Sequence, residues 1–321
     1  MKSKITSLCI LLFVSSITFS QIIQWSQKQD LPRAHRNGSA AECNGKVYFM
    51  GGYCESTPER FENSNFEYDP AMDSWNEKTV IPTGRANFTL VTFNNKIYAI
   101  GGDPFSGKNE MYDPLKDAWT NLAPLPTPRQ HVYGTVLNGK IYVIGGLQQA
   151  NDTNLPSQWS YKNISVKNEV YDIATDRWTE KAPLPTPRHG TQSISVNGKI
   201  YVIGGMGEEN NIWKSLSVVE MYNPQTDKWE TKTSLPEQRD GFGMFAINKK
   251  IFIVGGFNGE SVVNSVLVYD TKKDSWSKTT NFPNEKNGSA GAALIGDTMY
   301  MIGGCDNKYH AYSFTFAGKV R

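Results

Sequence analysis

Neither sign of charge dominates this chain, cysteine is scarce, and no long apolar run occurs beyond its first 20 residues. Lys and Arg number 33 against 31 Asp and Glu over 321 residues. Setting aside Lys2 and Lys4 leaves 31 of each sign after residue 20. That balance gives no electrostatic footprint for nucleic acid or an anionic membrane. Beyond residue 20 the cysteines are Cys43, Cys54 and Cys305, without a CxxC pair or zinc-finger spacing. An odd number excludes a fully paired disulfide framework and leaves room for one bridge, Cys54 to Cys305 being the candidate. With no stretch of 18 apolar residues, no membrane span is expected. No cofactor and no metal are expected, because no motif for either occurs.

What the first 20 residues do contain is Lys2 and Lys4 followed by an apolar stretch from Ile5 to Phe19, with small residues Thr18 and Ser20 before Gln21. This reads as a secretory signal peptide, residues 1–20, ahead of one domain over residues 21–321. The expected destination is the periplasm or the exterior. Glycine, Trp, Tyr and Phe are plentiful, and turn residues interrupt short apolar stretches. That pattern is all-β.

The dominant signal is repetition. Glycine pairs end an apolar segment at Gly51, Gly101, Gly145, Gly204, Gly255 and Gly303, at intervals of 50, 44, 59, 51 and 48 residues. Segments such as KVYFM and KIYVI precede the pairs, several entered through an Asn-Gly turn. After each of the first five pairs, a tyrosine (Tyr68, Tyr112, Tyr171, Tyr222, Tyr269) is followed seven residues later by a tryptophan (Trp75, Trp119, Trp178, Trp229, Trp276). A proline stands seven residues beyond each Trp. The sixth pair lacks this second half, and the missing piece stands at the other end as Trp25 with Pro32. Stacked units of this period cannot bury their apolar faces alone. A first strand near residues 22–28 is therefore expected to complete the last sheet beside the C-terminal strand, which removes open edges.

On the diglycine, the Tyr-x6-Trp spacing and the six copies, the sequence resembles the kelch-repeat family over essentially all of residues 21–321. The resemblance implies a six-bladed β-propeller with four antiparallel strands per blade, closed by the N-terminal strand. It implies little about activity, since one fold hosts many functions.

Arg85, Arg129, Arg188 and Arg239 each lie 16 residues before a diglycine. A ring of arginines suits an anionic ligand at a channel. Glutamates Glu67, Glu110, Glu169 and Glu220 sit just ahead of the repeat tyrosines and precede those arginines by 18 or 19 residues. Where Leu267 replaces the glutamate, the following arginine is lost as well. The expectation is four ion pairs between successive blades, Glu67–Arg85, Glu110–Arg129, Glu169–Arg188 and Glu220–Arg239.

Long irregular segments follow the third and fourth diglycines, on the face shared with the LPTPR loops. They hold Trp159 and Trp213, the two tryptophans the repeat does not use, with Tyr161 close by. Loops on a rigid scaffold commonly carry binding groups. His131 and His189 follow Arg129 and Arg188 at the channel mouth. Two functions compete. One is a non-catalytic, monomeric binding or scaffold module that offers this loop face to a glycan, peptide or protein. The other is a metal-free sugar mutarotase or epimerase of the sialic acid type, which exported bacterial kelch propellers include. There Arg129, Arg188, Arg239, His131 and His189 would hold and open the sugar. The absence of any catalytic constellation favours the module.

Overall fold

A computed structural model describes residues 22–54, 61–149, 163–210, 212–285 and 287–321. Residues 1–20, read as the leader, and the candidates Trp159 and Tyr161 lie outside them. The described chain forms six four-stranded antiparallel sheets, each running outward from an inner strand. The inner strands are Ser39–Cys43, Thr89–Phe93, Tyr133–Leu137, Gln192–Val196, Gly243–Ile247 and Gly291–Ile295, defining blades 1 to 6. Each packs against the next, and the sixth against the first. Together they line an axial channel of about 470 Å³. Among the described residues no helix is long and apolar enough to cross a membrane.

The second strand of each blade is buried along almost its whole length, as in Lys46–Met50 and Lys250–Val254. Such strands read as unbroken apolar runs because sheets cover both faces. The core lies between blades. Tyr48 and Met50 of blade 1 pack with Ile97, Ala99 and Tyr112 of blade 2, and Tyr300 and Ile302 of blade 6 pack with Val47 and Phe49 of blade 1. This is why no unit is stable alone.

Closure occurs where the sequence places it. Ile23–Lys28 pairs antiparallel with Thr315–Val320, setting Trp25 opposite Gly318. The Trp25 ring fills the space a Cβ at Gly318 would need, the nearest ring atom lying 2.4 Å from that position. Trp25 also meets Phe282 of blade 5 edge to face at 4.9 Å.

The repeat residues form a rivet at each joint. Tyr112 Oη donates to Asp117 Oδ1, which also accepts the Thr79 N–H of the preceding blade at 2.9 Å. The Trp119 indole N–H then donates to the Thr79 carbonyl at 3.0 Å. The same arrangement recurs at Tyr68–Asp73–Trp75, Tyr171–Asp176–Trp178, Tyr222–Asp227–Trp229 and Tyr269–Asp274–Trp276. The diglycines belong to the same joints. Gly145 has φ of +70°, and a Cβ there would lie 2.6 Å from the Arg188 carbonyl oxygen of the next blade. The adjacent Gly146 N–H donates to that carbonyl at 3.1 Å. Only a bare, left-handed residue allows two blades to approach so closely.

The ion pairs differ from expectation by one blade. Arg129 bonds Glu169 at 2.8 Å, Arg188 bonds Glu220 at 2.5 Å, and Arg85 bonds Glu110, so each arginine pairs within the blade it enters. Pairs Glu67–Arg85, Glu110–Arg129, Glu169–Arg188 and Glu220–Arg239 do not form. Glu67 stands one residue before its tyrosine, whereas the other three stand two before. In a strand that places Glu67 on the opposite face, where it accepts from the Tyr48 hydroxyl and meets Lys78 at 3.7 Å. Phe66 takes the glutamate position of blade 1 and packs on His35, the residue at the arginine position. In blade 5 Leu267 stands at the glutamate position, and Arg239 instead binds Glu237, the Gly255 carbonyl at 2.8 Å and Ser265 Oγ at 3.0 Å.

Candidate functional site

The segment leading into each inner strand builds the channel mouth. Two residues beyond the arginine position stand Asn37, Asn87, His131, Gly190, Gly241 and Ser289, all with φ between +52° and +58°. Backbone hydrogen bonds link them around the rim, from Asn87 N–H to the Asn37 carbonyl at 2.9 Å and from Asn37 N–H to the Ser289 carbonyl at 3.1 Å. Gly190 N–H likewise reaches the His131 carbonyl at 3.3 Å, and Ser289 N–H the Gly241 carbonyl at 2.7 Å. Among the described residues no such bond joins Gly241 to Gly190. By residue identity the ring position carries side chains in blades 1, 2, 3 and 6 and a bare notch at blades 4 and 5.

Over this notch opens a cavity of about 360 Å³, lined by His131, His189, Trp213, Asp240, Tyr309 and Gly190 among others. Its lining mixes residues from the diglycine loops with residues from the inter-blade loops, so both loop sets share one face. A Cβ built at Gly190 meets nothing within 4 Å, so that floor position is open space.

His189 follows Arg188 and pairs backbone to backbone with Met206, which fixes its ring in the wall. The hairpin Met206–Glu209 with Ile212–Ser215 brings Trp213 across, edge to face with His189 at 4.8 Å. His131 meets the other side of His189 at 5.2 Å. His189 is 5% exposed, and neither ring nitrogen has a hydrogen-bond partner among the described residues. Burial holds the pKa of both histidines below the usual imidazole value, with His131 adding to the effect on His189. Both rings are therefore neutral near pH 7. His189 lines the cavity, and its two buried ring nitrogens leave one donor and one acceptor unpartnered among the described residues.

Asp240, the residue after Arg239, holds the corresponding place in blade 5. It accepts from the Ser215 hydroxyl. Burial pushes its pKa up to about 6, opposed by the Ser215 hydrogen bond and by the charge of Arg239. The far wall is a connected polar network. Asn37 Nδ2 donates to Asn87 Oδ1 at 2.7 Å, and Asn87 Nδ2 donates to Asp103 Oδ2 at 2.7 Å. Tyr53 Oη also reaches Asp103, at 2.6 Å. Arg36 lies 4.7 Å over the Tyr53 ring.

Of the residues singled out in the sequence, the structure gathers His131, His189 and Trp213 in one cavity. Arg129, Arg188 and Arg239 are fully enclosed in the wall and spent on carboxylates and carbonyls, so they present nothing to the channel. Cys54 and Cys305 are buried as thiols, and Cys305 Sγ donates to the Gly288 carbonyl at 3.3 Å. Asp240 and the glycine notch escaped notice in the sequence. Aligning the six copies would have exposed both, since only blade 5 places an acid one residue after the arginine position and only blades 4 and 5 place glycine two residues after it.

Fold and site together define a closed six-bladed propeller with a ligand-sized pocket at one end of its axis. The chain belongs to the kelch-repeat family. Residues 34–79 and 84–126 match the Kelch motif, and residues 158–317 match the KLHDC2/KLHL20/DRC7 Kelch-repeats domain. Kelch-like protein 26 of Danio rerio is 31% identical over 213 residues, covering 64% of this chain and 33% of that protein. Beta-scruin of Limulus polyphemus is 28% identical over 282 residues, covering 84% of this chain and 25% of that protein. The chain thus spans a quarter to a third of the length of these relatives. The solved structure of YjhT superposes with a TM-score of 0.75 at 16% identity, covering 92% of this chain and 99% of that one, a likeness of fold.

Proposed function

We propose that this protein is an exported binding module that holds the end of a glycan in the mouth pocket. The observation that carries the reading is His189, buried beside Trp213 with both ring nitrogens unpartnered among the described residues. A neutral imidazole with a free donor and a free acceptor matches a hydroxyl group, which is both. The Trp213 indole in the same lining offers an aromatic surface for the apolar face of a sugar ring. The cavity of about 360 Å³ accommodates one or two sugar units.

The decisive experiment is a glycan array probed with residues 21–321 and with Gly190→Asn. Asn37 and Asn87 already occupy the same left-handed rim position, so the substitution preserves the backbone while filling the floor. Binding to a defined glycan, lost in Gly190→Asn with thermal stability unchanged, is expected. Failure to bind any glycan, or binding indifferent to Gly190→Asn, overturns the reading. Export is tested by the mass of the protein recovered outside the cytoplasm, which should begin at Gln21.

One observation favours sugar mutarotation as a second activity of the same pocket. Asp240, with a pKa of about 6, and neutral His189 line one cavity, the carboxylate as proton acceptor and the imidazole N–H as donor. Acceleration of anomer exchange by NMR, lost in Asp240→Asn, would establish it. The enclosed arginines supply no carboxylate anchor, so the expectation of a sialic acid substrate held by Arg129, Arg188 and Arg239 loses its support.

A further inference from the structure

Building on the glycan-binding reading, we infer that the preferred ligand is an amino sugar whose protonated amine sits against Asp240. A carboxylate in a cavity wall pays for its lost hydration unless a cation reaches it. The cation expected to do so, Arg239, is the neighbouring residue, yet its guanidinium is fully enclosed and engaged with Glu237, the Gly255 carbonyl and Ser265. What Asp240 receives directly is the neutral Ser215 hydroxyl. The carboxylate thus lines a space of about 360 Å³, and the Arg239 guanidinium acts on it only through its field, its hydrogen bonds going to Glu237, the Gly255 carbonyl and Ser265.

The other groups around the cavity agree with a cationic guest. His131 and His189 are neutral near pH 7. The hydroxyls of Tyr133 and Tyr309 lie within the field of Asp240, which helps keep both phenols protonated. Glu260 adds a second carboxylate to the lining, against Lys214 as the one cationic side chain among the described lining residues. Arg36 is not itself a lining residue but lies behind the wall, 4.7 Å over the Tyr53 ring and 6.0 Å over that of the lining Tyr309. An anionic sugar would meet two carboxylates, whereas an ammonium group would neutralise the one that burial disfavours most. The remaining hydroxyls would fall to His189, and the ring face to Trp213.

The proposal is tested on residues 21–321 by calorimetric titration with matched pairs: glucosamine and glucose, galactosamine and galactose, chitosan and chitin oligomers. At pH 7.5 the amine member of at least one pair should bind about 10-fold or more tightly, from one charge-assisted contact. Asp240→Asn should bring the pair to parity. The wild-type preference should be greatest near neutral pH, shrink toward pH 5 as Asp240 protonates, and shrink again above about pH 8 as the sugar amine loses its proton. Equal or tighter binding of the neutral member in every pair overturns the amine inference and leaves the pocket reading standing. Binding of neither kind removes both. An amine preference that persists in Asp240→Asn also defeats the inference, because another carboxylate would then be responsible.

Discussion

Glu220→Gln should weaken the propeller by far more than a surface charge would. Arg188 has no exposed surface, and it donates to Glu220 Oε2 at 2.5 Å, to the Thr186 carbonyl at 2.9 Å and to the Val202 carbonyl at 3.1 Å. Glu220 Oε1 accepts from the Thr186 hydroxyl at 2.8 Å, so the pair also pins the loop entering blade 4. Removing the negative charge leaves a buried guanidinium supported only by carbonyls, a loss of about 3–5 kcal/mol. At about 2–4 °C per kcal/mol for a domain of roughly this size, the melting temperature should fall by about 6–20 °C. The double variant Arg188→His, Glu220→Phe copies blade 1, where His35 packs on Phe66. It should cost less than Glu220→Gln alone, since a matched apolar pair leaves no orphaned charge. Urea titration of the three proteins measures this. A cost under about 1 kcal/mol for Glu220→Gln would refute the claim that the arginines are held by charge within their own blades.

Two further perturbations probe the joints and the pocket. Gly145→Ala should be markedly more destabilising than Gly198→Ala, by urea titration. Both have positive φ and share a strain of about 1–3 kcal/mol, but only Gly145 has a carbonyl of the next blade 2.6 Å from the new Cβ. Equal costs would contradict the close-approach explanation of the diglycine. Asp240→Asn should stabilise the protein at pH 7.5. Burial raises the folded-state pKa to about 6, above the unfolded value of about 3.9. The folded form therefore binds the proton more tightly, and wild-type stability falls as pH rises from about 4 through 6. The gain at pH 7.5, up to about 3 kcal/mol, should vanish below pH 4. A variant less stable than wild type at pH 7.5 would mean that Asp240 is paired with a cation in the folded protein.

The wheel was legible because its signals repeat. Six diglycines, five Tyr-x6-Trp spacings and the displaced Trp25 each independently required a closed ring, and the joints they build recur in the structure. The ion pairs were half legible. Composition revealed that arginine and glutamate belong together, but partners were assigned by linear distance, and the one-residue offset of Glu67 passed unnoticed. Alternation along a strand turns such an offset into a change of face. The pocket was least legible, since it arises from departures from the repeat. Gly190 and Gly241 look like ordinary turn glycines until six inner strands converge and set them side by side at the rim. Asp240 reads as one acid among 31, and only its enclosure distinguishes it. His131 and His189 were found because each follows a repeated arginine, and Trp213 because the repeat leaves it unused in a long loop.

The most direct measurement follows the ring of His189 by NMR in protein labelled at histidine, while the best-binding sugar is added. Burial in the folded protein keeps this imidazole neutral and unpartnered among the described residues. Its ring resonances should therefore shift in step with occupancy, while those of His35, enclosed beneath blade 1, stay still. Saturable binding that leaves His189 unmoved would place the ligand elsewhere and contradict a site at the channel mouth.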